Sequence, residues 1–112
     1  MILAKPNEVI VTVDAKGLIT CTPDHLAVKG SDAVLRFNLQ TEGYVFPKEG
    51  AVVVENPGKE FPFPSRTLKA RPTTATLYDY NTEVGKYKYM VTVERLADGS
   101  LLELDPTISN DP

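Results

Sequence analysis

Gly85-Lys86-Tyr87-Lys88-Tyr89-Met90-Val91-Thr92-Val93-Glu94-Arg95-Leu96 has the clearest period in the chain. In an extended strand Tyr87, Tyr89, Val91 and Val93 fall on one side, and Lys86, Lys88, Thr92 and Glu94 on the other. One face is therefore expected against a core and the other in water. Asp79-Tyr80-Asn81 and Gly85 lead into this strand. Ala97-Asp98-Gly99-Ser100 follows it as a hairpin signal, before Leu101-Leu102-Glu103-Leu104 returns. A two-residue Asp98-Gly99 turn sets Val93 opposite Leu104 and keeps the apolar face uniform, and a four-residue loop preserves that parity. A three-residue loop would set Val93 opposite Glu103 and is disfavoured. The two-residue register also places Glu94 opposite Glu103, a like-charge pair costing about a few tenths of a kcal/mol on an exposed face.

Outward from this hairpin, nine prolines and seven glycines cut the chain into short segments that alternate with period 2 and leave no room for helix. Val9, Val11 and Val13 alternate with Ile10 and Thr12, and Ala15-Lys16-Gly17 turns the chain back into Leu18–Thr22 with Ile19 and Cys21 inward. Leu26-Ala27-Val28 predicts a brief strand. Ala33, Leu35, Phe37 and Leu39 alternate with Val34, Arg36, Asn38 and Gln40, as in a strand with one face on a core. Tyr44-Val45-Phe46 resumes after a break at Thr41-Glu42-Gly43, and Ala51–Glu55, apolar on both sides, reads as a strand near the middle of a sheet. Residues 56–72, with Phe61-Pro62-Phe63-Pro64, read as a loop, an edge or a crossing between sheets, because proline cannot donate to a ladder. In Thr73–Tyr80 either Ala75 and Leu77 or Thr76, Tyr78 and Tyr80 face the core. The tail from Asp105 is expected to end the sheet and lie along its edge.

The 112 residues fit one domain, residues 1–112, large enough to bury roughly two-thirds of its unfolded surface. The pattern of about eight strands predicts an all-β, antiparallel Greek-key sandwich. A net charge of −3 weighs against a nucleic-acid partner. The single cysteine, Cys21, excludes an internal disulfide. No apolar run is long enough to span a membrane, and Met1–Pro6 has no signal-peptide core, so a soluble chain is expected, with the cytoplasm slightly favoured.

Gly85-Lys86-Tyr87-Lys88-Tyr89-Met90-Val91-Thr92-Val93 resembles the penultimate strand of immunoglobulin-like and cupredoxin-like sandwiches. With Val34–Phe37, Tyr44–Phe46 and Leu104–Ile108, the chain resembles small bacterial cupredoxin-like domains. The resemblance implies that Tyr87 forms a tyrosine corner, its hydroxyl bonding backbone upstream. It does not bring copper: a type 1 site needs two histidines and a cysteine, and this chain has His25 alone, four residues after Cys21. Only architecture carries over.

No catalytic residue, cofactor or metal is expected. Cys21 and His25 could give two soft ligands, but no other Cys or His exists, and a single histidine removes most acid/base and triad chemistry. Asp79-Tyr80-Asn81-Thr82-Glu83 presents oxygens at alternate positions like the start of a calcium loop. The glycine and glutamate of an EF-hand are misplaced, and Asx-turn capping is the expected role. Lys59, Arg66, Lys69 and Arg71, and the pair Lys86 and Lys88, read as solvated surface, with Arg66 and Arg71 as the cations an acidic partner would meet. Phe61 and Phe63 either plug one end of the core or form an apolar patch. The expectation is thus a non-enzymatic binding or assembly module for a protein partner or a second copy. Its contact surface is placed in residues 56–72 and adjoining loops, with Tyr44, Phe46, Phe61, Phe63, Arg66 and Arg71 as candidate contacts. The alternative is a calcium or small-ligand domain using residues 79–83 with the tail.

Overall fold

In the computed structural model, residues 4–112 are described, so part of the N-terminal stretch read for a signal peptide, residues 1–3, lies outside them. Eleven strands and no helix are present among the described residues, where about eight strands are expected from the sequence. They are β1 (Glu8–Val13), β2 (Ile19–Thr22), β3 (His25–Ala27), β4 (Ala33–Leu39), β5 (Tyr44–Val45), β6 (Val52–Val54), β7 (Arg66–Leu68), β8 (Arg71–Asp79), β9 (Gly85–Arg95), β10 (Leu101–Leu104) and β11 (Thr107–Asn110). The strands not expected are β7, three residues long, and β11, four residues long and formed by the tail. One of them, β7, lies inside the proline-rich segment read as irregular.

The first sheet runs β2-β1-β4-β8-β7. In the second, β9 is the hub: β10 and β11 follow one another along one side of it, β5 and β6 along the other, and β3 lies beyond β11. The antiparallel expectation needs correcting, because β1 pairs with β4 and β3 with β11 in parallel. Parallel neighbours cannot be joined by a tight turn, and here the chain between them passes through other strands. Local turn signals carry no trace of such pairs.

Period-2 alternation does decide the faces. Val9, Val11, Leu35, Phe37, Leu39, Ala75, Leu77, Val91 and Val93 are all buried between the sheets. Phe37 of the first sheet meets Tyr89 of the second edge to face, with ring centroids 5.5 Å apart, so the two inner faces interlock at the centre. The open choice in β8 falls to Ala75 and Leu77, and the same parity turns Asp79 inward, where it is fully buried. At the last hairpin Arg95 N–H donates to the Ser100 carbonyl and Val93 faces Leu102, the register of a four-residue loop. Glu94 therefore lies opposite Leu101 rather than Glu103.

Three further expectations change. The tail is an interior strand, since β11 pairs with both β9 and β3. The strand at Ala51–Glu55 is an edge, since among the described residues β6 pairs only with β9; its inner residues Val52 and Val54 are buried while Val53 is half exposed. Tyr87 makes no upstream backbone bond among the described residues. Its ring instead lies over Gly85, where an added Cβ would come within 3.3 Å of it, and packs edge to face on Phe61 at 4.9 Å. Among the described residues no helix is long and apolar enough to cross a membrane.

Candidate functional site

The proline-rich segment leaves β6 of the second sheet and forms a strap to β7 of the first. In a strand, Phe61 and Phe63 would share a face, but bends between the prolines send them opposite ways. Phe61 is buried against Tyr87, whereas Phe63 is 58% exposed and touches Tyr78 edge to face at 6.2 Å. Tyr78 in turn meets Tyr80 at 5.2 Å, which extends an aromatic row along the outside of the first sheet. Under the strap lies an apolar groove of about 210 Å³, lined by Val52, Val53, Val54, Pro57, Phe63 and the inward-facing Leu77, among others.

Ala51 C=O accepts from Thr92 N–H and Glu55 N–H donates to Lys88 C=O, so the odd-numbered residues of the segment face β9. Val52 and Val54 therefore turn their N–H and C=O away from the sheet. Ser65 Oγ takes the Val52 N–H at 3.1 Å, and the Val54 groups face away from β9, on the side where β6 pairs with no other strand among the described residues.

The six candidate contact residues do not form one surface. Phe46 and Phe61 belong to the buried core cluster, which corrects Phe46 as a contact residue and decides Phe61 for the core, its ring packed on Tyr87. Phe63 and Arg66 lie on the strap and the adjoining β7, with Arg66 opposite Thr76. Tyr44 and Arg71 sit at the far end, where Tyr44 stacks under the Arg95 guanidinium at 5.8 Å and Arg71 is exposed beside the β7–β8 turn. Val53, 48% exposed, was not singled out by sequence; its place in an apolar run suited a central strand equally well.

A second, polar cluster closes the opposite end of β8. Asp79 Oδ1 accepts the Asn81 N–H at 2.9 Å, the expected Asx turn, and also the Asn110 side-chain amide at 2.8 Å. Asn81 Nδ2 donates to the Gly30 carbonyl at 2.9 Å, with Asn81 itself in the left-handed region at φ 50°. Glu60, buried in the strap, accepts from Thr82 N–H, Thr82 Oγ1 and Glu83 N–H at 2.7–3.0 Å. Burial pushes the Glu60 carboxyl up, but these bonds, with Lys59 nearby, outweigh it and hold the group below the ordinary carboxylate range. Burial pushes Asp79 the other way, above that range, against the opposing bonds from Asn110 and Asn81. Nothing in the sequence distinguishes Glu60 from a surface acid, because its partners are more than twenty residues away.

Cys21 and His25 border one open depression between the β2–β3 and β10–β11 connections, but face differently. The Cys21 thiol is buried and desolvated beside Tyr89, which pushes its pKa up to about 12. The exposed His25 ring is held by hydroxyls on both nitrogens, Thr107 Oγ1 at 2.6 Å and Ser109 Oγ at 2.8 Å. The Ser109–His25 pair thus has no carboxylate orienting the far nitrogen. Among the described residues, no three His, Cys, Asp or Glu side chains converge as metal ligands.

Comparison with protein-family models and with curated proteins found no match to this chain. The arrangement can offer a strand edge with an apolar groove on one side and a buried oxygen-rich cluster at one end.

Proposed function

We propose that this chain is a non-enzymatic binding module that accepts an extended apolar segment along the β6 edge, beneath the strap. The observation that carries the reading is that the Val54 N–H and C=O face away from β9 with no bond among the described residues, beside a groove whose rim exposes Val53 and Phe63. Strand addition uses such edges: backbone bonds give affinity, and pockets for alternate side chains give selectivity. β6 is three residues long and is soon followed by Pro57, features that limit open-ended pairing. A partner therefore pairs over a few residues and draws the rest of its affinity from the aromatic rim. A second copy of the chain is the simplest source of such a segment.

The fold reading that accompanies this is a Greek-key sandwich of the cupredoxin-like type. Constant-type immunoglobulin sheets are antiparallel, and the two parallel pairs here, with the chain changing sheets between β2 and β3, support the cupredoxin-like alternative.

The test is sedimentation velocity of the chain over a wide concentration range, together with selection from a library of extended peptides. Self-association, or peptide binding, that is lost in Phe63→Ser and Val53→Lys supports the reading. A monomer at all concentrations that selects no peptide, or binding indifferent to both substitutions, contradicts it.

A further inference from the structure

The polar cluster at the end of β8 contains more acceptors than its donors can satisfy. Asp79, Asn81 and Asn110 are 0–1% exposed, and Asp79 Oδ2, Asn81 Oδ1 and Asn110 Oδ1 have no hydrogen-bond partner among the described residues. Turning the amides over would not help. Asn110 Nδ2 donates to a carboxylate oxygen and Asn81 Nδ2 to a carbonyl, both acceptors only, so a flip would set oxygen against oxygen. Three fully buried oxygens are thus left without a positive partner, on Asp79 and on two asparagines that bond its carboxylate, Asn81 through its backbone N–H and Asn110 through its side-chain amide. Unsatisfied buried polar atoms are rare in folded proteins and call for an ion, a water or a proton. A proton on Asp79 turns Oδ2 into a donor for one amide oxygen and leaves the other unpaired, and a single water has two donors for three acceptors. A cation answers all three at once.

From this geometry we propose that Asp79, Asn81 and Asn110 hold a hard, oxygen-seeking cation of the calcium class, with Asp79 Oδ2 as the charged ligand and the two amide oxygens as neutral ones. Carboxylate and amide oxygens are the donor set such ions take, in a flexible geometry that small magnesium accommodates poorly. A divalent charge also offsets the Glu60 carboxylate, which is close enough to Asp79 to raise its pKa. With one direct carboxylate, affinity falls at the weak end, a dissociation constant of about a millimolar. The site joins distant parts of the chain: Asp79 ends β8 in the first sheet, Asn110 ends β11 in the second, and Asn81 is anchored to Gly30 between β3 and β4. Binding would clamp the two sheets at this end. It is independent of the groove under the strap.

The experiment is thermal melting of the full chain in chelator-treated buffer, then with Ca²⁺, Mg²⁺ or Na⁺ added. Terbium luminescence excited through tyrosine is the direct binding readout, since Tyr80 adjoins Asp79. About 10 mM Ca²⁺ should raise the melting temperature by about 5 °C, with a smaller effect of Mg²⁺. Asp79→Asn should abolish both the shift and the terbium signal. Asn110→Asp, which adds a carboxylate, should lower stability without cation and enlarge the calcium shift, so the proposal remains testable if the first variant fails to fold. A wild-type melting temperature unmoved by all three cations overturns it. So does a shift that survives unchanged in both variants, or a stability that responds to acid but to no cation.

Discussion

Asn110 donates its side-chain amide to Asp79 Oδ1 at 2.8 Å, and this bond ties the last strand of one sheet to the end of a central strand of the other. Both residues are buried, so the bond forms away from water and its loss leaves a carboxylate short of a donor. Asn110→Ala should therefore destabilise the chain by about 1–3 kcal/mol. Urea unfolding monitored by circular dichroism measures this, and an unchanged midpoint would show that the tail is not locked at this point.

The two buried carboxylates predict opposite pH dependences. Glu60 has a folded-state pKa below its unfolded one, so its contribution is present above the unfolded value, about 4.3, and is lost as pH falls through the folded value. Asp79 is raised when folded. Its ionisation opposes folding above that raised value, and the penalty is relieved as pH falls toward the unfolded value, about 3.9. In chelated buffer, Glu60→Gln should be less stable than wild type at neutral pH, with a shallower acid limb. Asp79→Asn should remove the opposing gain and steepen the net loss on acidification. Melting temperatures from pH 3 to pH 8, roughly spanning these values, check both signs.

Tyr87 provides a test of packing against hydrogen bonding. A corner tyrosine would lose about 1 kcal/mol on substitution by Phe. The observed ring packs on Phe61 and Gly85 with no hydroxyl partner among the described residues, so Tyr87→Phe should stay within about 0.5 kcal/mol of wild type. Tyr87→Ala, which uncovers Phe61, should cost about 2 kcal/mol or more. Equal losses for the two variants would restore the corner.

At the core, the Tyr89 hydroxyl is buried without an oxygen or nitrogen partner among the described residues and lies beside the Cys21 thiol. Removing an unsatisfied buried hydroxyl relieves its desolvation, so Tyr89→Phe should be neutral or stabilising by up to about 1 kcal/mol. Cys21, with its pKa near 12, should resist Ellman's reagent at pH 8 until the chain unfolds. Rapid labelling of the native protein would contradict the burial described for both groups.

How much of this was legible in the sequence follows from the range of each interaction. Tyr89, Val91 and Val93 announce an inward face because alternation is local, and the parity argument across Asp98-Gly99 holds in the observed register. The insertion of Thr107–Asn110 between β9 and β3, and the parallel pairing of β1 with β4, depend on contacts far apart in the chain and leave no local mark. Phe61 and Phe63 part company because backbone bends at the prolines, not spacing, decide which ring turns in. Asp79 was readable as an Asx-turn residue. That its second oxygen would be buried beside Asn110 was not, since the tail that brings Asn110 there is placed by tertiary pairing.

The central claim, that the β6 edge is where this protein meets an extended partner segment, is tested most directly at the Val54 amide. Hydrogen–deuterium exchange at that N–H, followed by NMR with and without the associated copy or selected peptide, reports whether the edge is paired. Slowing of Val54 exchange by tenfold or more on association, with little change at Val53, whose amide already faces β9, is the predicted result. Association that leaves Val54 exchanging as in the free monomer would contradict it.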